Sequence, residues 1–456
     1  MATPAGLTLS GVDLFVLAAL GGGALALAWR AARARREGIS DYVLAGRTLT
    51  LPAFVATLVP SFFGGTLGVG EYAWRYGVSN WLVQGAPYYL FAVLYAVWLV
   101  PRVRAGGGLT IPDQLEAAYG RGAAVLGAVL VFLLASPADE FLMLGTLVHW
   151  ASGRPLGLCV ALVAVLAVVT LWRGGLRADV GANRLETVVM YAGFAVVLPF
   201  GLKAAGGLGG LAAALPPSHL DWTGGQPVSA LAGWWLIALW TFVDPGFHQR
   251  VLAAKDESTA RTGILCSVAL WALFDAMTTT AGLLARARLP ELAEPLAAYP
   301  ALAEAVLPPV LKGVFIAGVA ASTLAATAST TLLAAVSLGR DGLGRAWRVP
   351  AEREEAWTRA ALAAAALLGG ALALALPSVV ALWYTVGSCV IPGLLVPLVS
   401  ATSERLRVGP RAGLASSLAG VGGASAAWAL GSGLPFGWGL AASLAVWIPA
   451  RFLKKV

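Results

Sequence analysis

The chain has 456 residues, of which 59% are hydrophobic and 12% are charged, and its mean hydropathy is +0.79. A soluble globular protein is excluded, because a chain of this length and composition would not stay in solution. The net charge of +8 does not indicate nucleic-acid binding, since Lys and Arg stand in short clusters between apolar stretches and such clusters report membrane topology.

Thirteen apolar stretches are long enough to cross a membrane, at about 20 residues for each crossing. We therefore predict an all-α integral membrane protein in which residues 1–456 form one polytopic domain. The loops are shorter than the roughly 40 residues that an independent core needs, so function is expected inside the bundle. The predicted spans are 9–29, 51–74, 80–101, 122–149, 155–173, 180–203, 229–249, 261–285, 310–336, 358–376, 379–400, 412–431 and 434–452.

Basic residues predict the orientation of these spans in the plasma (cytoplasmic) membrane. The first loop is rich in arginine between Arg30 and Arg47, whereas the first ten residues carry no Lys or Arg. Basic loops stay in the cytoplasm, so the N-terminus is predicted outside and the C-terminus, with Lys454 and Lys455, inside. A cleaved signal peptide is not expected, because the charges follow the first apolar run.

The second span is interrupted at its centre by Pro60-Ser61-Phe62-Phe63-Gly64-Gly65. Backbone polar groups within hydrocarbon must be satisfied inside the protein, so a break at this depth is tolerated where it lines a cavity or a binding site. The sequence Asp244-Pro245-Gly246 marks a second break, towards the inner end of the seventh span. Such breaks indicate a transporter.

Acidic residues within the spans are candidate coupling residues. Asp139 and Glu140 lie in the outer half of the fourth span, and Asp275 lies near the middle of the eighth. A charge at the bilayer centre costs about 2.5–3.5 kcal/mol on insertion scales, so these groups are expected to face a cavity or a partner. Asp275 is the preferred candidate; in the alternative interpretation it caps a local kink by bonding Thr279 or a nearby backbone group.

Other function classes find little support. The three cysteines lie in different spans, and the three histidines lack zinc-site spacing, so these residues indicate no disulfide, no metal site and no cofactor. A membrane enzyme needs a base or nucleophile with partners in reach, and no such motif is present. The expected partners are a small solute and the lipid bilayer, without nucleic acid or an obligate protein partner.

Five separated motifs resemble the sodium:solute symporter family. Their order and their placement on thirteen spans make the resemblance specific across about residues 10 to 405. The motifs are YVLAGRTL at 42–49, LTIPDQLE at 109–116, GGLRA at 174–178, DPGFHQRVLAAK at 244–255 and KGVFIAG at 312–318.

The resemblance implies a LeuT-type fold, in which two five-helix repeats of opposite orientation enclose a central site. The repeats would be spans two to six, about 51–203, and spans seven to eleven, about 229–400, with one extra N-terminal and two extra C-terminal helices. It also implies a secondary active transporter of a small organic solute. The alternatives are a sodium-independent or proton-coupled carrier and a solute sensor, although a sensor usually needs an output domain.

By the same resemblance, a sodium ion would lie between the break in the second span and the ninth span. Backbone carbonyls of Pro60, Phe63 and Ser322 would be ligands, while the paired hydroxyl positions fall on Ala325 and Ala326. Alanine has no side-chain oxygen, so sodium coupling becomes an open question.

The family's acidic position in the sixth span aligns with Asn183, which is followed by Arg184. Arg184 either reaches the cytoplasmic headgroups or places its guanidinium in the vacant ion site. A third interpretation is an alignment slip of one turn, with hydroxyls then supplied by Ser322, Thr323, Thr327 or Ser329.

The resemblance also implies where the solute pocket lies, around the second-span break and on the third, seventh and eleventh spans. Aromatic residues at these positions have a plainer alternative, as core or interfacial residues. The predicted lining consists of Phe62, Gly64, Leu67, Gln84, Tyr88, Trp240, Thr241, Trp383 and Tyr384.

Overall fold

The structure is a computed structural model that describes residues 7–376 and 379–453. Lys454 and Lys455, which contribute to the predicted orientation, lie outside the described residues. Within these ranges the repeating secondary structure is helical, and the isolated pairing of Leu49 with Ala254 joins two extended residues.

Eleven helices among the described residues are long and apolar enough to cross a membrane, and they overlap the first eleven predicted spans. The later predicted spans form α12 (Pro410–Ala429) and α13 (Pro435–Leu453), which are not among the eleven, so their crossing stays a prediction. The eleven are α1 (Gly11–Arg33), α2 (Leu51–Tyr76), α3 (Trp81–Gly106), α4 (Arg121–Ser152), α5 (Leu156–Gly174), α6 (Leu176–Ala204), α7 (Val228–Ala253), α8 (Glu257–Arg288), α9 (Leu311–Gly344), α10 (Ala351–Ala375) and α11 (Val379–Ala401).

Both predicted breaks are present, but they differ in kind. Helix α2 changes to a 3-10 turn at Phe63–Gly65 and then continues as an α-helix, so its backbone stays helical through the predicted break. Helix α7 passes through a 3-10 turn at Ala238–Phe242 and begins again after Asp244, whose Oδ1 accepts a 2.7 Å bond from the Phe247 amide. The two interrupted helices stand five apart in the chain, as a five-helix repeat requires.

Helix α4 is interrupted as well. Its first part ends at Leu134, and its second part begins at Ala138 with Pro137 at the N-cap. Proline lacks the amide that would continue the helix, so the chain bends here. The interruption places Asp139 and Glu140 in the first turn of the second part.

Helices α2 and α9 form the centre of the bundle, with about three quarters of their apolar windows buried (72% and 78%), whereas α1 lies at the edge with 17%. Small residues allow close approach in lipid, where no hydrophobic force drives helices together. At the α6–α9 contact, a Cβ built on Gly193 would lie 3.0 Å from the Gly318 Cα atom.

Candidate functional site at the interrupted helices

A cavity of about 220 Å³ lies beside the α2 and α7 breaks. Its wall combines the α2 turn and the start of α7's second part with residues of α3, α4, α8, α9, α10 and α11. The predicted pocket residues that line it are Phe62, Gly64, Gln84, Tyr88, Trp240 and Trp383.

Three predicted pocket residues do not line this cavity. Leu67 is buried in the core, with 1% of its surface exposed. The Thr241 hydroxyl turns back to donate to the Ala238 carbonyl at 3.0 Å, and the Tyr384 hydroxyl donates to the Gly433 carbonyl at 3.0 Å. Family resemblance identifies the helices that contribute, but it does not identify which residue of each helix faces the cavity.

The three acidic candidates, Asp139, Glu140 and Asp275, do line the cavity. Asp139 Oδ2 accepts a 2.6 Å bond from the Trp383 indole nitrogen, and Asp275 Oδ2 accepts from the Tyr89 hydroxyl. The Thr279 hydroxyl, the side-chain partner in the alternative interpretation of Asp275, accepts from the Asn80 amide at 3.0 Å.

At the predicted ion site, hydroxyl and carbonyl oxygen atoms lie close to alanine side chains. The Phe63 carbonyl accepts a 2.6 Å bond from the Thr66 hydroxyl, which lies 2.7 Å from the Ser322 hydroxyl. Ala325 and Ala326 are fully buried at this contact, and a Cβ built on Gly64 would collide with the Ala326 methyl.

The Pro60 carbonyl, the other predicted ligand of α2, accepts from the Phe63 amide at the end of the helix. The α2 turn and α9 are therefore packed against each other through a methyl group where the family resemblance places hydroxyls.

Asn183 and Arg184 are separated by the structure. Asn183 is buried and donates to Thr57 Oγ1 at 2.7 Å and to Asp179 Oδ1 at 3.2 Å. Arg184 is exposed and lines a different hollow together with Arg30. The placement of the Arg184 guanidinium at the ion site is therefore not what the structure shows.

A different arginine, Arg250, lies beside the cavity. With 1% of its side chain exposed, it donates to Asp179 Oδ2 at 3.1 Å and to Ser329 Oγ at 2.7 Å. Sequence reasoning missed both members of this buried pair, because they stand one residue outside the predicted spans 180–203 and 229–249. A search for opposite charges flanking span ends would have found them.

Asp244 is the other cavity carboxyl group that was not predicted as a site residue, although it was noted as part of the α7 break. Its N-cap bond explains its position. A residue that caps an interrupted helix beside a cavity serves both the fold and the site.

Comparison with known proteins agrees with the family resemblance of the sequence motifs. The model of the sodium:solute symporter family matches residues 42–386. Sodium/myo-inositol cotransporter 2 of Mus musculus is 26% identical over 302 residues, which are 58% of this chain and 43% of that protein. The uncharacterized symporter YidK of Escherichia coli (strain K12) is 28% identical over 318 residues, 63% of this chain and 55% of that protein. The chain thus spans about half the length of the curated relatives it matches.

Solved structures confirm the fold. A Na⁺-coupled sialic acid symporter in its substrate-bound outward-open state superposes with a TM-score of 0.81 at 13% identity, over 98% of both chains. The nucleobase-cation-symport-1 transporter Mhp1, closed around bromovinylhydantoin, gives a TM-score of 0.64 at 16% identity over 91% of this chain and 94% of its own. At these identities the likeness establishes the LeuT-type architecture alone.

Proposed function

Because this chain belongs to the sodium:solute symporter family, we propose that it is a secondary active transporter that moves a small organic solute across the membrane by alternating access. The observation that carries this proposal is the cavity between the two interrupted helices. Half-helix ends and freed backbone groups at the middle of a bundle are the usual setting of a transporter binding site.

The family implies sodium as the coupling ion, but the residues of this chain favour transport without obligatory sodium. Ala325 and Ala326 supply no side-chain oxygen, and the Ala326 methyl is packed against Gly64. The Arg250 guanidinium lies near Ser329, about one turn farther along α9, and brings a permanent positive charge to this region.

A second candidate is sodium coupling at shifted ligands. The adjacent hydroxyls of Thr66 and Ser322, with the Phe63 carbonyl, supply three oxygen atoms in one place. Oxygen ligands of this kind suit a hard cation. Thr66→Val and Ser322→Ala would weaken sodium dependence if this candidate is correct and leave it unchanged otherwise.

Transport is tested with the purified full chain in proteoliposomes, by measuring uptake of cationic, neutral and anionic solutes with sodium inside and outside replaced by potassium. Trp240→Ala removes an indole side chain that lines the cavity and should abolish uptake. Trp428→Ala, an exposed residue on α12, is the matched control and should leave uptake unchanged. Equal uptake by both variants would contradict the cavity as the site, and strict sodium dependence would contradict sodium-independent transport.

A further inference from the structure

The ionisable groups that line the cavity are unbalanced in charge. Four carboxyl groups line the cavity, and Arg250 is the one cation among the described lining residues. The Arg250 guanidinium already pairs with Asp179, which does not line the cavity. Carboxylates removed from water are costly unless a cation pairs with them. The carboxyl groups belong to Asp139, Glu140, Asp244 and Asp275.

Three of the four carboxyl groups accept a bond from a neighbouring group of the protein. Asp244 caps the second part of α7, Asp275 accepts from the Tyr89 hydroxyl, and Asp139 accepts from the Trp383 indole nitrogen. Glu140 follows Asp139 in the first turn after the α4 bend, where the positive end of the helix dipole favours negative charge.

Glu140 carries a carboxylate oxygen atom that the fold leaves without a partner. Only 6% of the residue is exposed, and its carboxyl group lies within hydrogen-bonding reach of Asp139 and Thr330, but its Oε2 atom has no hydrogen-bond partner among the described residues. The carboxyl group faces the α2 break, since a Cβ built on Gly64 would lie 3.2 Å from Oε1. A buried acceptor without a donor, on the wall of a cavity, points to a ligand that supplies the missing charge or proton.

Aromatic rings line the same cavity. The Trp383 ring is fixed by its indole bond to Asp139 and covers Gly65 and Gly68. Phe62 is stacked on Trp271 with ring centroids 4.3 Å apart. Aromatic faces next to carboxylates are the arrangement that proteins use for substituted ammonium groups, whereas an inorganic cation gains little from an apolar wall.

We propose that the transported solute is a small organic cation, a substituted ammonium compound whose charge lies beside Glu140 and Asp139 and whose alkyl groups contact Phe62 and Trp383. This inference rests on the proposed transport function and specifies its substrate class. A cavity of about 220 Å³ has room for such a compound.

The test compares isosteric probes on the full chain in detergent, with thermal unfolding as the measurement. Choline and tetramethylammonium should raise the unfolding temperature, because a ligand that binds the folded state stabilises it. The neutral isostere of choline, 3,3-dimethyl-1-butanol, should not. Glu140→Gln should weaken choline binding by about 100-fold, the usual scale for removing one partner of a desolvated charge pair. Glu257→Gln, an exposed residue, is the matched control and should bind as the parent does.

Several outcomes would overturn the inference. These are equal stabilisation by the neutral isostere, choline binding that survives Glu140→Gln unchanged, and a sodium-only response that Glu140→Gln abolishes. If Glu140→Gln does not fold, Asp139→Asn replaces it with the same expectation. Proteoliposomes that take up only neutral or anionic solutes would remove this inference and leave the transporter proposal standing; uptake of no solute class would remove both.

Discussion

Gly65 and Gly68 leave room for the Trp383 ring on the α2 surface. A Cβ on Gly65 would collide with the ring, and one on Gly68 would lie 2.6 Å from it. We expect Gly65→Ala to destabilise the protein by about 1–3 kcal/mol, the usual cost of overpacking, and to reduce uptake by displacing Trp383. Gly22→Ala, where a Cβ meets nothing within 4 Å, should be neutral or slightly stabilising. Thermal unfolding and uptake of both variants check this, and equal behaviour would contradict it.

The Arg250–Asp179 pair allows a second prediction about single residues. Both side chains are almost fully buried, so removing one leaves an unpaired charge. Asp179→Asn and Arg250→Gln should each cost about 3–5 kcal/mol in free energy of unfolding. The double variant should recover part of that loss, because neither partner then leaves a charge behind. Additive losses in a double-mutant cycle would show that the two residues act separately.

At single positions, sequence reasoning identified three of the four acidic cavity residues and most of the aromatic ones, but it failed on orientation. Phe62 and Leu67 stand five residues apart, on either side of the 3-10 turn at Phe63–Gly65, and only Phe62 lines the cavity. Residues five apart point in directions about 140° apart even on an ideal α-helix, so the family resemblance, and not the helical period, placed both in the pocket. Charges at span ends were missed for a different reason, because helices extend beyond their apolar part.

Among the elements, four of the five family motifs contribute no residue to the cavity wall, whereas the motif at 244–255 lines the cavity with Asp244 and its neighbours up to Phe247 and with Arg250. Tyr42 donates to the Leu171 carbonyl at 3.0 Å, Arg47 to the Gly108 carbonyl at 2.7 Å, and Gln249 to the Val43 carbonyl at 2.9 Å. These bonds join segments that are distant in sequence. Most of the motifs therefore carry the fold, which explains why they predicted the architecture without specifying a substrate.

Ion pairs join the short helix Ile111–Tyr119 to the end of α9. Asp113 pairs with Arg340 at 3.0 Å and with Arg345. Burial raises the pKa of Asp113, but the two arginines outweigh it and hold the pKa below its ordinary value of 3.8.

A lowered pKa gives this carboxylate a definite pH window. Its stabilisation is present above the ordinary pKa and is lost as the pH falls through the lowered one. Asp113→Asn should lower the free energy of unfolding by about 1–3 kcal/mol at neutral pH. The variant and the parent should become equally stable below pH 3.8. Unfolding at several pH values checks this. Glu294→Gln, an exposed control, should show no such dependence.

For the whole molecule, long apolar stretches were enough to predict eleven of the helices, because hydrocarbon thickness sets a minimum length. The α12 sequence is rich in Gly and Ser, and Ser416 and Ser443 bond each other across α12 and α13 at 2.9 Å. Pairing of this kind lowers the apolar content that a helix needs, so hydropathy alone does not decide whether these two helices cross.

Orientation is the prediction that belongs to the whole chain. Basic residues predict Lys255 in the cytoplasm and Arg154 outside, and both side chains are exposed. In a background without the three native cysteines, Arg154→Cys should react with a membrane-impermeant maleimide on intact cells, and Lys255→Cys only after lysis. The reverse labelling pattern would contradict the predicted orientation of every loop.

One backbone contact concerns how the two interrupted helices move. The Leu49 amide donates to the Ala253 carbonyl at 3.0 Å, and the Lys255 amide donates to the Leu49 carbonyl at 3.0 Å, so the entry to α2 is fastened to the exit of α7. Only proline, which lacks the amide donor, would remove one of these bonds by substitution at position 49 or 255. We expect the two ends to move together during opening, with the turns at Phe63–Gly65 and Ala238–Phe242 as the hinges. Slow hydrogen exchange at the Leu49 and Lys255 amides, with faster exchange at both turns, is the expected signature.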